Sequence, residues 1–375
     1  MAVVLSALSG CGDEESSDKE TSKEGGTPDS TVPGGDAGFD ANVFVPPDNN
    51  LPDLPPIDND SGAPPGAQFF AKNNPFIYLN DWPDSVYTDA YIYALAANAD
   101  AKLVGVISNG IDCKCGAGDN KDSSPRREEW ISAARDAGFA NVPNNTSGGF
   151  GAALLRPASG VIAETVRQPT AGSALIVAEA KKASKEVPLV IVSGGPITPL
   201  ADAYLADPSI TQTIVVSWLA GTLKKNTATP ELSLTTDYMV GDQWAAEIVL
   251  RNFRVFVYPT DLDPPIVTEC RIDSDLPPSW LKDLLFQSGY FQSGRDGDGA
   301  PAVTINFPAY MKSYTRISMA PMGLETVPNP AGNIWLLTKG DAEGGGEEFF
   351  RELRKAYKVP LDAGSFKNPD GGCGP

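Results

Sequence analysis

From about residue 72 onward, short apolar runs of β character alternate with stretches of helical periodicity, and this alternation restricts the fold more than any other feature of the chain. Phe76-Ile77-Tyr78-Leu79 is a compact apolar run that stops at the polar pair Asn80-Asp81. A helix is predicted to follow, with Thr88 as N-cap and an apolar stripe of Ala90, Ile92, Tyr93, Leu95 and Ala96. Further strands are predicted at 103–107, 187–192, 213–219, 254–258, 302–307 and 334–338. Helices are predicted at 126–137, 172–185, from Pro196 to near Ala206, and at 242–252, 278–288 and 347–357. Strands that alternate with helices imply an α/β fold with a mainly parallel central sheet flanked by helices. Ligands of such sheets gather at the carboxyl ends of the strands. The sequence contains no internal repeat, P-loop or dinucleotide glycine fingerprint.

The first 66 residues obey a different rule. They hold thirteen acids and two lysines, about −11 of the net −19 carried by all 375 residues. The stretch 12–66 is rich in Gly, Pro, Ser, Asp and Glu and includes Pro46-Pro47, Pro55-Pro56 and Pro64-Pro65. So polar a stretch cannot bury a core, and an acidic, disordered or polyproline-like tether is expected there. Ahead of it, the apolar start ends in Leu8-Ser9-Gly10-Cys11, which is similar to the lipobox of bacterial lipoproteins. The expected organisation is a truncated lipoprotein signal over 1–11, a tether over 12–66 and one α/β domain over 67–375. Cys11 is the expected lipidation site, and the expected location is the bacterial cell envelope, with the membrane as a partner through several acyl chains.

Composition also excludes chemistries. The chain contains no histidine, which removes Ser-His-Asp and Cys-His catalysis and histidine-ligated zinc or iron. Catalysis would rest on carboxylates, hydroxyls, Lys, Arg or an oxygen-ligated metal. An acidic chain without a basic cluster does not fit a nucleic-acid partner, because phosphate contacts need grouped Lys and Arg. In an oxidising envelope, Cys113, Cys115, Cys270 and Cys373 are expected to form structural disulfides, and four cysteines allow three pairings. Cys113-Lys114-Cys115 lacks zinc spacing.

The segment richest in chemistry is Leu79-Asn80-Asp81-Trp82-Pro83-Asp84-Ser85-Val86-Tyr87-Thr88-Asp89-Ala90, which places three carboxylates and a hydroxyl between the first strand and the first helix. Acids there sit near the positive end of a helix dipole, where they can serve as turn and helix-start residues or share a hard cation such as calcium.

This segment resembles the aspartate-rich loop of the inosine-uridine-preferring nucleoside hydrolases, which ends in Asp-Asp-Ala at a helix start. Asp89-Ala90 matches that end, Asp84 falls on the aspartate that holds calcium and activates water, and Thr88 replaces one calcium-binding aspartate. Trp82 replaces the first aspartate of the motif, with Asp81 one position away. The similarity continues in order through 103–108, Asn141-Val142-Pro143, Leu155-Arg156-Pro157, 188–198, 205–216 and 242–246, and spans about residues 75–310. Ser193 stands where the family's threonine carbonyl binds calcium. The ribose-binding asparagine falls at or near Met239, beside Asp237. The family's late histidine-aspartate pair has no clear match, the nearby acids being Asp296 and Asp298 in a glycine-rich turn.

The resemblance implies a calcium-dependent hydrolase of ribosyl N-glycosidic bonds, acting on nucleosides or related glycosides. Asp84 would be the catalytic base, with Asp84, Thr88, Asp89, Ser193 and Asp298 around the metal and Asp81, Asp237 and Met239 at the substrate. The base leaving group needs an acid, for which Tyr87, Tyr238 and Trp218 are the neighbours in view. Trp82, Trp218 and Trp244 stand near strand ends, where aromatic residues line pockets or, more often, fill cores. Two other function classes remain open: a non-catalytic descendant that binds a nucleoside or sugar, and an envelope interaction module. The family also admits an oligomer.

Overall fold

The computed structural model describes residues 69–70, 74–81, 86–111, 122–224, 230–234, 241–287, 297–321 and 325–360. The expected lipobox and tether lie outside the described residues, which all belong to the unit Pro46–Pro375. Among the described residues no helix is long and apolar enough to cross a membrane.

The strands are β1 (Pro75–Asn80), β2 (Lys102–Ile111), β3 (Ser147–Gly151), β4 (Leu189–Ser193), β5 (Ile214–Leu219), β6 (Thr222–Leu223), β7 (Leu232–Ser233), β8 (Arg254–Tyr258), β9 (Met311–Met319), β10 (Thr326–Pro328) and β11 (Ile334–Gly340). Among the described residues they form a nine-stranded sheet in the order β10-β9-β11-β8-β5-β4-β1-β2-β3, with β6 and β7 paired separately. Strands β3, β2, β1, β4, β5, β8 and β11 are mutually parallel, while β9 runs antiparallel to both β11 and β10.

The helices are α1 (Val86–Ala97), α2 (Ser124–Asp136), α3 (Ala171–Ala180), α4 (Thr198–Ala206), α5 (Gln243–Asn252), α6 (Glu269–Asp275), α7 (Trp280–Gln287), α8 (Gly299–Val303) and α9 (Ala342–Ala356). They cover the sheet on both sides. Phe76, Tyr78, Val190, Val192, Val215 and Phe256 face a core shared with α1, α2, α6, α7, α8 and α9. The alternate residues Ile77, Leu79, Ile191, Val216 and Val255 face α3, α4 and α5. A strand buried on both faces needs an almost unbroken apolar run, which is why β1, β4, β5 and β8 read as such in the sequence. The mainly parallel α/β architecture is therefore as expected.

Several local expectations are corrected. Thr88 is not an N-cap: α1 begins at Val86, and Thr88 is buried within its first turn. The run 302–307 is not a strand, because Gly299–Val303 forms the short helix α8 and Ala302, Val303 and Ile305 pack into the helical layer. A short apolar run has no periodicity to separate the two states. The helix predicted at 172–185 ends at Ala180, with Lys181 as C-cap. The strands β3 and β9 carry too many Gly, Ser, Thr and charged residues to have been read as strands.

The last helix starts five residues earlier than predicted, passing through Gly344-Gly345-Gly346. Asp341 caps it by accepting from the Gly344 amide at 3.1 Å. A Cβ on Gly346 would run into the carbonyl of Ile266, and one on Gly345 would lie 3.1 Å from Pro265. Close backbone approach, rather than flexibility, explains glycine there.

The outer end of α9 makes a pH-dependent contact. Glu352 is buried, accepts from the Asn98 side chain at 2.7 Å and lies beside Asp100, which Lys355 engages. Burial and then the hydrogen bond with Asp100 raise the Glu352 carboxyl above its usual 4.5. A raised folded-state pKa means that the native protein holds this proton more tightly than the unfolded chain. Its stabilising contribution is complete below pH 4.5 and is lost as pH rises through the folded-state value. Glu352→Gln, which fixes the uncharged form, is expected to flatten the decline of stability above that pH in urea titrations. Parallel profiles for the two proteins would contradict this reading.

Candidate functional site

The register of the parallel strands places five residues of four neighbouring strands together at the carboxyl end of the sheet. Asn80 of β1 pairs with Ser108 of β2, Leu79 with Ser193 of β4, and Ser193 with Trp218 of β5. All of these side chains are buried, and Asp81 follows directly, 1 % exposed. After β4 the chain turns through Gly194-Gly195-Pro196 into α4.

That turn is packed directly against carboxylates. A Cβ on Gly194 would come within 2.6–2.7 Å of both Asp298 carboxylate oxygens, and one on Gly195 would be 2.7 Å from Asp81 Cγ. Only a residue without a side chain allows the approach. The turn is held from three sides. The Trp218 indole N–H donates to the Gly195 carbonyl at 2.9 Å, the Ser193 hydroxyl donates to the same oxygen at 3.1 Å, and the Asn109 amide donates to the Pro196 carbonyl.

Asp298 stands just before α8 and is 3 % exposed. The Asn80 side-chain amide donates to its Oδ2 at 2.9 Å and also meets the Tyr78 hydroxyl. Thr88 comes close on the other side, its hydroxyl 3.8 Å from where a Gly299 Cβ would lie. The structure thus gathers Asp81, Thr88, Asp89, Ser193 and Asp298 around the end of β1, from segments far apart in sequence. Asp84, Asp237, Met239 and Asp296 lie outside the described residues, as do Trp82 and Tyr238. Tyr87 is in the helical core, edge-on to Phe349 at 6.1 Å. Trp244 is buried on the opposite side of the sheet and donates to Thr165 at 2.8 Å.

Asp89 makes the most informative contact. Its Oδ1 accepts from Arg127 of α2, and both side chains have no solvent exposure. The guanidinium lies over the Tyr78 ring, 5.5 Å from its centroid. Burial acts to lower its pKa, but the charge of Asp89, followed by Tyr78, Tyr93 and Asp81, outweighs that and holds it above its ordinary value. Burial and then Asp89 push the neighbouring Tyr93 phenol well up.

The described side chains do not by themselves make up a divalent-cation site. Calcium takes six to eight oxygen ligands, and a guanidinium already occupies one Asp89 oxygen. A divalent ion beside a buried guanidinium would meet strong repulsion at low dielectric. Among the described residues, no group of three or more Asp, Glu or Cys side chains is arranged to hold a metal. Cys270 is disulfide-bonded, and every other cysteine lies outside the described residues.

Arg127, Asn80 and Asn109 were missed as site residues. Arg127 did leave a signal: with Trp130, Ile131 and Ala134 it falls on the i, i+3, i+4, i+7 face that α2 buries. An arginine on an apolar stripe calls for an internal acid. In the sequence Asn80 marks only the polar stop of the first strand.

No family model matches the sequence, and no curated protein is similar to it. Similarity emerges in three dimensions. An inosine-uridine-preferring nucleoside hydrolase from Bacillus anthracis superimposes with a TM-score of 0.50 at 16 % identity, over 76 % of this chain and 99 % of its own. A plant nucleoside hydrolase gives 0.51 at 14 % identity, over 76 % and 99 % respectively. An effector protein gives 0.50 at 10 % identity, over 76 % of this chain and 94 % of that one. At such low identity the likeness speaks to architecture, and the domain has a nucleoside-hydrolase-like fold.

Proposed function

We propose that the domain binds a nucleoside or a related ribosyl compound at the carboxyl ends of β1, β4 and β5. One observation carries this reading: Asp81, Asp89, Arg127 and Asp298, all charged types and none more than 3 % exposed, converge there. Burying charges is expensive unless they are paired. Such clusters recur at functional sites, and this one lies where parallel sheets bind ligands. Carboxylates and an amide are suited to the adjacent hydroxyls of a sugar, each oxygen accepting from an O–H. The nucleoside-hydrolase-like architecture supports the same ligand class.

Hydrolysis of the N-glycosidic bond is the second reading. It is favoured by Asp81, which supplies a second buried carboxylate at the Gly194-Gly195 turn that Asp298 also packs against, and by the resemblance that assigns Asp84 as base. Envelope location through a lipidated Cys11 is part of the proposal and rests on the lipobox-like tetrapeptide.

The test is thermal unfolding of the full chain, in EGTA and again with added calcium, with ribose and a panel of purine and pyrimidine nucleosides, and with released base followed by chromatography. A ligand present at 100 times its dissociation constant adds about 2.7 kcal/mol. Asp298→Asn and Gly194→Ala, which drives a methyl into the Asp298 carboxylate, are expected to abolish the shift. Stabilisation without released base supports binding alone, and released base supports hydrolysis. No shift with any member of the panel would replace both readings with an interaction module.

A further inference from the structure

The acidic cluster carries its own cation. Arg127 reaches it from the buried face of α2, between Tyr78 on β1 and Asp89 on α1. Its surroundings are what a permanent buried counter-ion requires: a carboxylate in contact, an aromatic face at 5.5 Å and no solvent exposure. A guanidinium paired with a carboxylate keeps its charge, so the balance does not depend on pH or on supply from solution. Asp298 draws its hydrogen bond from the neutral amide of Asn80, and Asp81 lies within the field of the same guanidinium. On the side of Asp89, therefore, charge balance is internal.

We propose that Arg127 is the resident cation of this cluster, paired with Asp89, one of the residues that the resemblance puts around calcium, so that the site is held without a divalent metal. This deepens the binding reading above, and it predicts that ligand recognition is independent of calcium. A guanidinium offers N–H donors and does not coordinate vicinal sugar hydroxyls as a metal does. The sugar would instead be held by hydrogen bonds to Asn80, Asp81 and Asp298.

The experiment uses the full chain, stripped with EGTA and returned to buffer, with calcium alone as the probe. The unfolding midpoint and the calorimetric heat are followed up to roughly 10 mM calcium, above the range of weak extracellular calcium sites, with magnesium as the ionic-strength control. For the parent protein neither quantity is expected to change. Arg127→Met is expected to lower the midpoint by roughly 10 °C in EGTA, because it leaves a buried carboxylate without its cation, and calcium should restore part of that loss. Arg127→Lys retains the charge and should stay insensitive to calcium.

A saturable rise of the parent midpoint with calcium, absent with magnesium, would overturn the proposal, as would an Arg127→Met protein as stable as the parent. Should Arg127→Met fail to fold, the parent and Arg127→Lys titrations still decide the question. The outcomes separate this inference from the binding reading. Indifference to calcium without nucleoside stabilisation removes only the binding reading, and nucleoside stabilisation that requires calcium removes only the role of Arg127.

Discussion

Asp89→Ala is expected to destabilise the domain by about 3–5 kcal/mol, the range observed when one member of a buried ion pair is removed. The magnitude comes from the charge left behind. Arg127 has no solvent exposure, so losing its partner leaves a guanidinium whose hydration was surrendered on folding. Asp89→Asn retains an acceptor but not the charge, and should fall between alanine and the parent. The double replacement Asp89→Leu with Arg127→Met should recover much of the loss, since an apolar pair of similar volume is often as stable as the ion pair it replaces. Urea unfolding of the parent, Asp89→Leu, Arg127→Met and the double variant forms a double-mutant cycle. An Asp89→Ala cost below about 1 kcal/mol, the level of an exposed pair, would show that water reaches the guanidinium.

A second large effect is expected on the opposite side of the sheet. Asp242 caps α5 by accepting from the Ala245 amide at 2.9 Å, and its other oxygen accepts from the Thr198 hydroxyl at 2.7 Å and the Leu154 amide at 2.8 Å. One buried carboxylate thereby joins the starts of α4 and α5 to the segment after β3. Asp242→Ala loses a cap worth about 0.5–2 kcal/mol and leaves buried donors that cost about 1–3 kcal/mol each when unsatisfied. A total of about 3 kcal/mol or more follows. Asn at this position still caps well, so Asp242→Asn should recover part of it. Hydrogen exchange at the Leu154 and Ala245 amides should accelerate in the alanine variant beyond any global change, because those two protons lose their acceptor. Uniform acceleration would mean that Asp242 contributes only to global stability. The carboxyl is raised above its ordinary value by burial, against the lowering effect of the Leu154 and Ala245 amides and Thr198, so its three donors pull against the cost of burying its charge.

The two sites differ in how far they could be read in advance. The cap is local: an aspartate directly before an amphipathic run is a helix start by short-range rules alone, and the helix was expected from 242 onward. The ion pair is not local. Asp89 and Arg127 are 38 positions apart, and Asn80 and Asp298 are 218 apart. No turn rule or periodicity links them. They meet because β1 lies between β2 and β4 in the sheet, which brings α2 against the end of β1 and lets Asp298 sit beneath the Gly194 turn.

Composition and pattern alone established that strands and helices alternate, that the central strands are apolar on both faces, and that no histidine chemistry is available. These are properties of single residues or short windows, and burial enforces them wherever the window lands. Tertiary structure decided which charges face one another, which glycines are needed for close approach, and whether runs such as 302–307 become strand or helix. Each of these depends on the partner that a segment finds, and that partner is chosen by the order of strands across the whole sheet.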